Sequence, residues 1–157
     1  MDWKRVVQFA LLGSSDFDQY AVLLVRVSLG LFFAISGANK LFVAASTQTM
    51  YETLVEAKAP FPHLMTYFVS AVEFVGGSLL ILGFLSSLVS VALLVDMLVA
   101  ILTAKLSAMR KGLSFLNWLD DFLYLPEVLY ALFFIWLICS GPGKFSVDYW
   151  LAGKLRR

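Results

Sequence analysis

Apolar residues run through this chain in four long stretches that are separated by shorter polar segments. A helix needs about 20 mostly apolar residues to cross a bilayer, and only a helix or a closed barrel satisfies its backbone in lipid. The predicted spans lie near residues 20–39, 66–84, 88–106 and 122–140. Because Gly83–Ser87 leaves only a tight turn between two of them, neighbouring helices should be antiparallel. The pattern predicts an all-α integral membrane protein, an antiparallel four-helix bundle that forms one domain over residues 1–157.

Two shorter segments have the periodicity of amphipathic surface helices. At residues 6–12 an apolar run follows two basic residues without a small-residue cleavage site, which favours a retained surface anchor over a signal peptide. Residues 46–58 predict a second surface helix, which Pro60 and Pro62 should end because proline lacks the amide donor. Residues 107–121 are interpreted as a polar connection on the same side of the membrane as the 46–58 segment.

Composition supports a membrane location. The chain is 61% hydrophobic and 15% charged, with a mean hydropathy of +0.84, whereas soluble domains are about 45–50% apolar. The formal net charge of +1 gives no reason to expect a nucleic-acid partner. Lys and Arg are nearly evenly divided between the two predicted sides, but the basic C-terminus favours cytoplasmic termini.

Cofactor chemistry is limited by the residues that the chain contains. Cys139 is the only cysteine and His63 the only histidine, so one copy can build neither a disulfide, nor a thiolate cluster, nor a two-histidine haem site. The sequence contains no zinc-protease motif, nucleotide loop or nucleophile elbow. We therefore expect no metal and no built-in cofactor, and the sequence assigns no catalytic residue.

Each predicted span carries an ionisable residue near its middle: Arg26, Glu73, Asp96 and Glu127. A charge at bilayer depth costs about 2.5–3.5 kcal/mol on insertion scales, so such residues usually face the interior of a bundle. If the helix midpoints are level, all four side chains can meet, with Asp96 as the natural partner of Arg26. Together they define the candidate site.

Three carboxylates accompany one arginine at this depth, so at least one of them should be protonated or paired with Lys40 or Lys105. Proton-linked roles for Glu73, Asp96 and Glu127 compete with a purely structural role in fixing helix register. Tyr130, one turn beyond Glu127, could flank a quinone headgroup, although aromatic residues in membrane helices mostly pack.

Small residues follow the same helical faces as these charges and should let backbones approach closely. Gly30 and Gly37 share a stripe with Arg26 and Lys40. Gly76 and Gly77 follow Glu73 on the second span. Pro126 should either begin the last helix or kink it.

Residues 22–41, 73–101 and 141–151 together resemble the DoxX family of small four-span membrane proteins. The resemblance implies this fold, and it implies functional polar positions at Arg26, Lys40, Glu73 and Asp96. Glu127 is proposed from its depth alone. The resemblance also implies a tail motif after the last span, formed by Gly141, Pro142, Gly143 and Asp148. The glycines could simply end the last helix, and Asp148 could cap or tether the tail.

DoxX-like proteins are linked with quinone-coupled sulfur oxidation and with membrane complexes that handle oxidative stress. The resemblance implies a subunit or accessory of a quinone-linked oxidoreductase in a bacterial plasma membrane, with quinone as the candidate ligand. Its partners would be the lipid bilayer and either a redox protein or further copies of this chain. The alternative is a non-catalytic adaptor, an assembly factor or a small transporter element, because a fold does not dictate an activity.

Overall fold

The computed structural model describes Trp3, residues 17–110 and residues 112–155, and within these residues the chain forms helices and no strands. The helices are α1 Asp18–Phe42, α2 Ala44–Glu56, α3 Pro62–Leu82, α4 Ser86–Ala100, α5 Phe115–Leu123, α6 Pro126–Ser140 and α7 Val147–Leu155. After α4 the chain winds as a π-helix, Ile101–Lys105, and a short turn, Leu106–Ala108. The predicted all-α class is confirmed. The surface anchor predicted at residues 6–12 lies outside the described residues.

Three helical segments are long and apolar enough to cross a membrane: α1, α3 and the continuous Ser86–Lys105 segment. They match the first three predicted spans to within a few residues. The fourth differs, because α6 has 15 residues and so measures about 22 Å, less than a hydrocarbon core of about 30 Å. It makes a fourth span only together with α5, from which it is bent by 67°. Pro126 stands in the first turn of α6, so it begins this helix and does not kink it.

The core contains one fully buried side chain from each main helix. Phe33 of α1, Leu80 of α3, Leu93 of α4 and Phe134 of α6 are all at most 1% exposed. The outward faces of the same helices remain strongly apolar, as a lipid-facing surface requires. The bundle therefore has a packed centre and an apolar exterior.

The closest helix pair is α1 with α3, and glycine permits the approach. A Cβ atom at Gly37 would lie 2.7 Å from the carbonyl oxygen of Ser70, and one at Gly77 would collide with the backbone of Ala34. Gly30 meets α3 in the same way. Gly76 faces α4 instead, where a Cβ would make an ordinary contact with Leu93. These contacts fix the register between α1 and α3.

The two ends of the bundle differ in what covers them. At one end the α3–α4 turn packs against the chain after α6, where the amide of Asp148 donates to the carbonyl oxygen of Gly83. The start of α1 lies there too, since Gln19 accepts from the amide of Lys144. At the other end α2 lies beside the π-helix. The helix predicted within residues 46–58 is present as α2, and it lies at the same end of the bundle as the start of the second connection.

The polar connection predicted over residues 107–121 is helical in its second half, which belongs to α5. Apolar side chains three to four positions apart give this short helix an amphipathic character, with Phe115 and Leu116 exposed. Arg110 forms a bidentate ion pair with Asp121, at 2.8 and 3.1 Å. The hydrogen bonds to Asp121 raise the pKa of Arg110 above its ordinary value, so this guanidinium stays charged at every physiological pH.

Candidate ligand-binding site

A cavity of about 250 Å³ lies among α1, α3, α4 and α6 at the end that α2 covers. It contains most of the polar positions predicted from the sequence. Five of them line it together: Lys40, Glu73, Asp96, Glu127 and Tyr130. Four separate helices thus direct their predicted polar residues into one space.

Lys40 and Glu73 form the first ion pair of the cavity. The Lys40 ammonium donates to both carboxylate oxygens of Glu73, at 2.7 and 2.6 Å, and the Ser36 hydroxyl lies 3.5 Å from Oε2. The Glu73 side chain is 5% exposed and that of Lys40 is 25% exposed. A carboxylate this buried needs such a partner, because an unpaired charge in low dielectric is costly.

Lys105 and Glu127 form the second ion pair, with Lys105 Nζ 2.9 Å from Glu127 Oε1. Glu127 stands in the first turn of α6, where the helix dipole favours a carboxylate. Lys105 ends the π-helix, a local widening of the helix that is frequent at functional sites. Glu127 Oε2 is buried and has no hydrogen-bond partner among the described residues.

Asp96 lies on α4 and differs from the other two acids. Its Oδ2 atom is buried and, within the described part of the chain, has no hydrogen-bond partner, and Asp96 forms no ion pair there. The charges of Glu73 and Lys40 both act on this carboxyl group. A buried polar atom without a partner costs about 1–3 kcal/mol, and such an atom often marks a functional site.

The pairing predicted between Arg26 and Asp96 is wrong. Arg26 is 1% exposed and its Nη2 donates to the carbonyl oxygen of Phe145 at 2.6 Å, beside the α3–α4 turn. The register set by the α1–α3 glycines places Arg26 at the level of Gly83, not level with Asp96. The carboxylate whose charge acts on Arg26 is Asp148. Arg26 therefore does not line the cavity.

The tail motif after α6 turns the chain back and joins it to the α3–α4 turn. Gly141 and Gly143 adopt positive φ angles of 75° and 77°, which lets the chain turn back, and Pro142 stands between them. Asp148 accepts hydrogen bonds from the amides of Leu85 and Ser86, at 2.8 and 2.7 Å, at the start of α4. Asp148 thus tethers the tail to the α3–α4 turn, one of the two roles allowed by the sequence.

Aromatic rings form one wall of the cavity. The rings of Phe32 and Tyr130 lie 4.8 Å apart, and Phe33 lies 5.5 Å from Tyr130. Phe33 also packs on Phe134, at 5.3 Å, and so joins this wall to the core. Tyr130 therefore packs with aromatic neighbours and also lines the cavity.

Some lining residues escaped the sequence reasoning. Met50, Thr53 and Leu54 of α2 close the polar end of the cavity, although none of them carries a charge. The sequence predicted Lys105 only as a partner for a carboxylate. Its position in the cavity lining depends on the π-helix, which has no signature in the sequence.

The sequence model of the DoxX family matches residues 21–106, more than half of the chain. The chain belongs to the DoxX family. This DoxX protein is also 31% identical over 134 residues to an uncharacterized membrane protein of Mycobacterium tuberculosis, an alignment that covers 82% of this chain and 79% of the relative. No solved structure matches it. The resemblance inferred from the sequence is confirmed for family and membrane character.

The matched region of this DoxX protein contains only part of the cavity. Lys40, Glu73 and Asp96 lie within residues 21–106, whereas Glu127 and Tyr130 lie beyond them. The first ion pair and the unpaired Asp96 therefore belong to the segment that the family model describes.

Proposed function

We propose that this DoxX protein is a membrane-embedded, ligand-binding subunit of a quinone-linked oxidoreductase system, and that its cavity holds the polar headgroup. The observation that carries the proposal is the buried Asp96 Oδ2 without a partner, in a cavity flanked by two lysine–carboxylate pairs. A ligand that hydrogen-bonds to Asp96 would offset the cost of burying this atom.

The size of the cavity suits a substituted six-membered ring. An apolar cavity of about 150 Å³ is enough to hold benzene, and this one measures about 250 Å³. Its lining combines the aromatic wall of Phe32 and Tyr130 with charged groups. Ligand sites typically have this mixture of apolar lining and a few convergent polar groups.

A bound quinone would supply a carrier of two electrons and two protons. Asp96 Oδ2 and Glu127 Oε2, the carboxylate oxygens that are buried without a partner in the described part of the chain, could hold a proton or accept a hydrogen bond from a ring hydroxyl. Lys40 and Lys105 could each donate to a ring oxygen while they neutralise Glu73 and Glu127. Because one cysteine and one histidine provide no electron store, a partner protein would exchange the electrons.

We place the protein in a bacterial plasma membrane with both termini cytoplasmic. The start of α1 and the tail share one end of the bundle, and the basic residues of the C-terminus favour the cytoplasm for that end. The cavity and α2 would then face the opposite side.

The test is a binding titration of a tailless, water-soluble quinone with the purified protein in nanodiscs. We expect Asp96→Asn to weaken binding by about tenfold, equivalent to about 1.4 kcal/mol. Asp120→Asn is the matched control, because it makes the same chemical change at an exposed site on α5. Absence of binding to the wild-type protein, or equal binding by Asp96→Asn, would refute the proposal.

The second candidate function is that of an adaptor or assembly factor, and the exposed apolar side of α5 favours it. Phe115 and Leu116 are each more than two thirds exposed, and Trp118 stacks on Phe122 at 5.2 Å. This function predicts that a stoichiometric protein partner co-purifies and is lost in Phe115→Ser, whereas Asp96→Asn retains it.

A further inference from the structure

At the seam between α1 and α6, side chains separate the cavity from the outer surface of the bundle. Of the neighbouring main helices, these two pack together least extensively. Phe32 of α1 and Tyr130 of α6 bridge the gap between them with their rings. Both residues also line the cavity.

Phe32 contacts both the cavity and the outer surface of the bundle. Its side chain is 46% exposed on the outer face of the bundle, yet it forms part of the cavity wall. Phe33 and Phe134 lie beneath it and are fully buried, so they hold the two helices together below the Phe32–Tyr130 contact. An exposed aromatic ring changes rotamer within nanoseconds, and the backbone does not need to move with it.

We propose that the α1–α6 seam is the membrane portal of the cavity and that Phe32 and Tyr130 gate it for an amphiphile with a polar ring and an apolar tail. This inference rests on the proposed function. Each methylene group that leaves water gains about 0.8 kcal/mol, so a long tail must end in lipid while the ring stays among the carboxylates. The end that α2 covers carries Lys40 and Lys105, so a tail that left there would pass two charged side chains.

The alternative route from the cavity to lipid lies between α3 and α4, where Val69 and Val99 also line the cavity. An apolar groove runs along the outside of these two helices and contains Phe68 and Leu88. The α3–α4 turn ties the two helices together at one end, whereas α1 and α6 have no short connection. This difference favours the α1–α6 seam.

The experiment compares a long-tailed quinone with its tailless analogue in nanodiscs, by binding titration and association rate. Phe32→Trp enlarges the gate, and Phe68→Trp is the matched control, because it makes the same change in the groove outside α3 and α4 and does not line the cavity. We expect Phe32→Trp to slow association of the long-tailed form about tenfold more than that of the tailless form. Phe68→Trp should change neither.

A photoreactive group at the tail of the long-tailed quinone provides a second readout in the wild-type protein. We expect its label on α1 and α6 near Phe32. The portal is overturned if the label lies on Leu88 or Phe68, or if association of the long-tailed form slows only in Phe68→Trp. Either outcome leaves Asp96-dependent binding of the tailless form intact. A wild-type protein that binds neither form overturns the portal and the proposed function together.

Discussion

Arg26 donates a 2.6 Å hydrogen bond from Nη2 to the carbonyl oxygen of Phe145, which lies 119 positions further along the chain. This contact ties the first span to the tail motif at the end of the bundle away from the cavity. It involves the backbone of Phe145 and not its side chain. The most deeply buried cation of the predicted polar centre thus holds the tail in place.

Replacement of Arg26 by methionine should detach the tail. The variant keeps much of the apolar stem but loses a charge-assisted hydrogen bond, which costs about 1.5–3 kcal/mol of stability. Hydrogen exchange should accelerate at the amides of Asp148 and Tyr149, which are bonded to Gly83 and Ser146. Binding in the cavity should not change. Arg110→Met, at an exposed arginine, is the control. Equally fast exchange of the tail amides in Arg110→Met would contradict a specific role of Arg26.

Replacement of Asp148 by alanine should destabilise the start of α4. The change removes both acceptors from the amides of Leu85 and Ser86, and loss of a helix cap costs about 0.5–2 kcal/mol. Thermal unfolding in detergent measures this loss. Asp18→Ala serves as the control, because this aspartate is exposed in the first turn of α1. Equal melting temperatures for the two variants would show that Asp148 does not cap α4.

The α1–α3 contact predicts opposite outcomes for two adjacent glycines. Gly77→Ala places a methyl group against the backbone of Ala34, so it should cost about 1–3 kcal/mol, as overpacking does. Gly76→Ala meets only the side chains of Leu93 and Val89, with the nearest atom at 3.4 Å, and should be far milder. Thermal unfolding of the two variants under identical conditions decides the matter. A milder effect at Gly77 would be incompatible with the described register.

The Lys40–Glu73 pair should show strong energetic coupling. Lys40→Gln or Glu73→Gln alone leaves the other charge in a mostly buried site, whereas the double variant removes both charges. We expect a coupling free energy of about 1–3 kcal/mol from the double-mutant cycle. The exposed Arg110–Asp121 pair is the comparison, and its coupling should be smaller and should fall with added salt. Additive effects at Lys40 and Glu73 would contradict the pairing.

The sequence predicted three of the four spans and most of the site, because both depend on where polar groups interrupt apolar helices. Lys40, Glu73, Asp96 and Glu127 meet because a charge in a span must face the interior. Hydrophobicity contains no information on how far one helix is shifted along another, so the predicted pairing of Arg26 with Asp96 was wrong.

Two local features also escaped prediction for physical reasons. The amphipathic helix α5 overlaps the start of the predicted fourth span, and its polar residues resemble those of a loop. The π-helix depends on tertiary packing, since π-helical turns insert into ordinary helical sequences. The sequence therefore did not predict which side chains the π-helix directs into the cavity, among them Lys105.

Native mass spectrometry of the protein purified without detergent, with lipid extraction of whatever small molecule it retains, decides whether the cavity holds a quinone. We expect the wild-type protein and Asp120→Asn to retain a quinone and Asp96→Asn to lose it. A quinone retained equally by Asp96→Asn, or a wild-type protein that retains none and carries a stoichiometric protein partner instead, would contradict the proposed function.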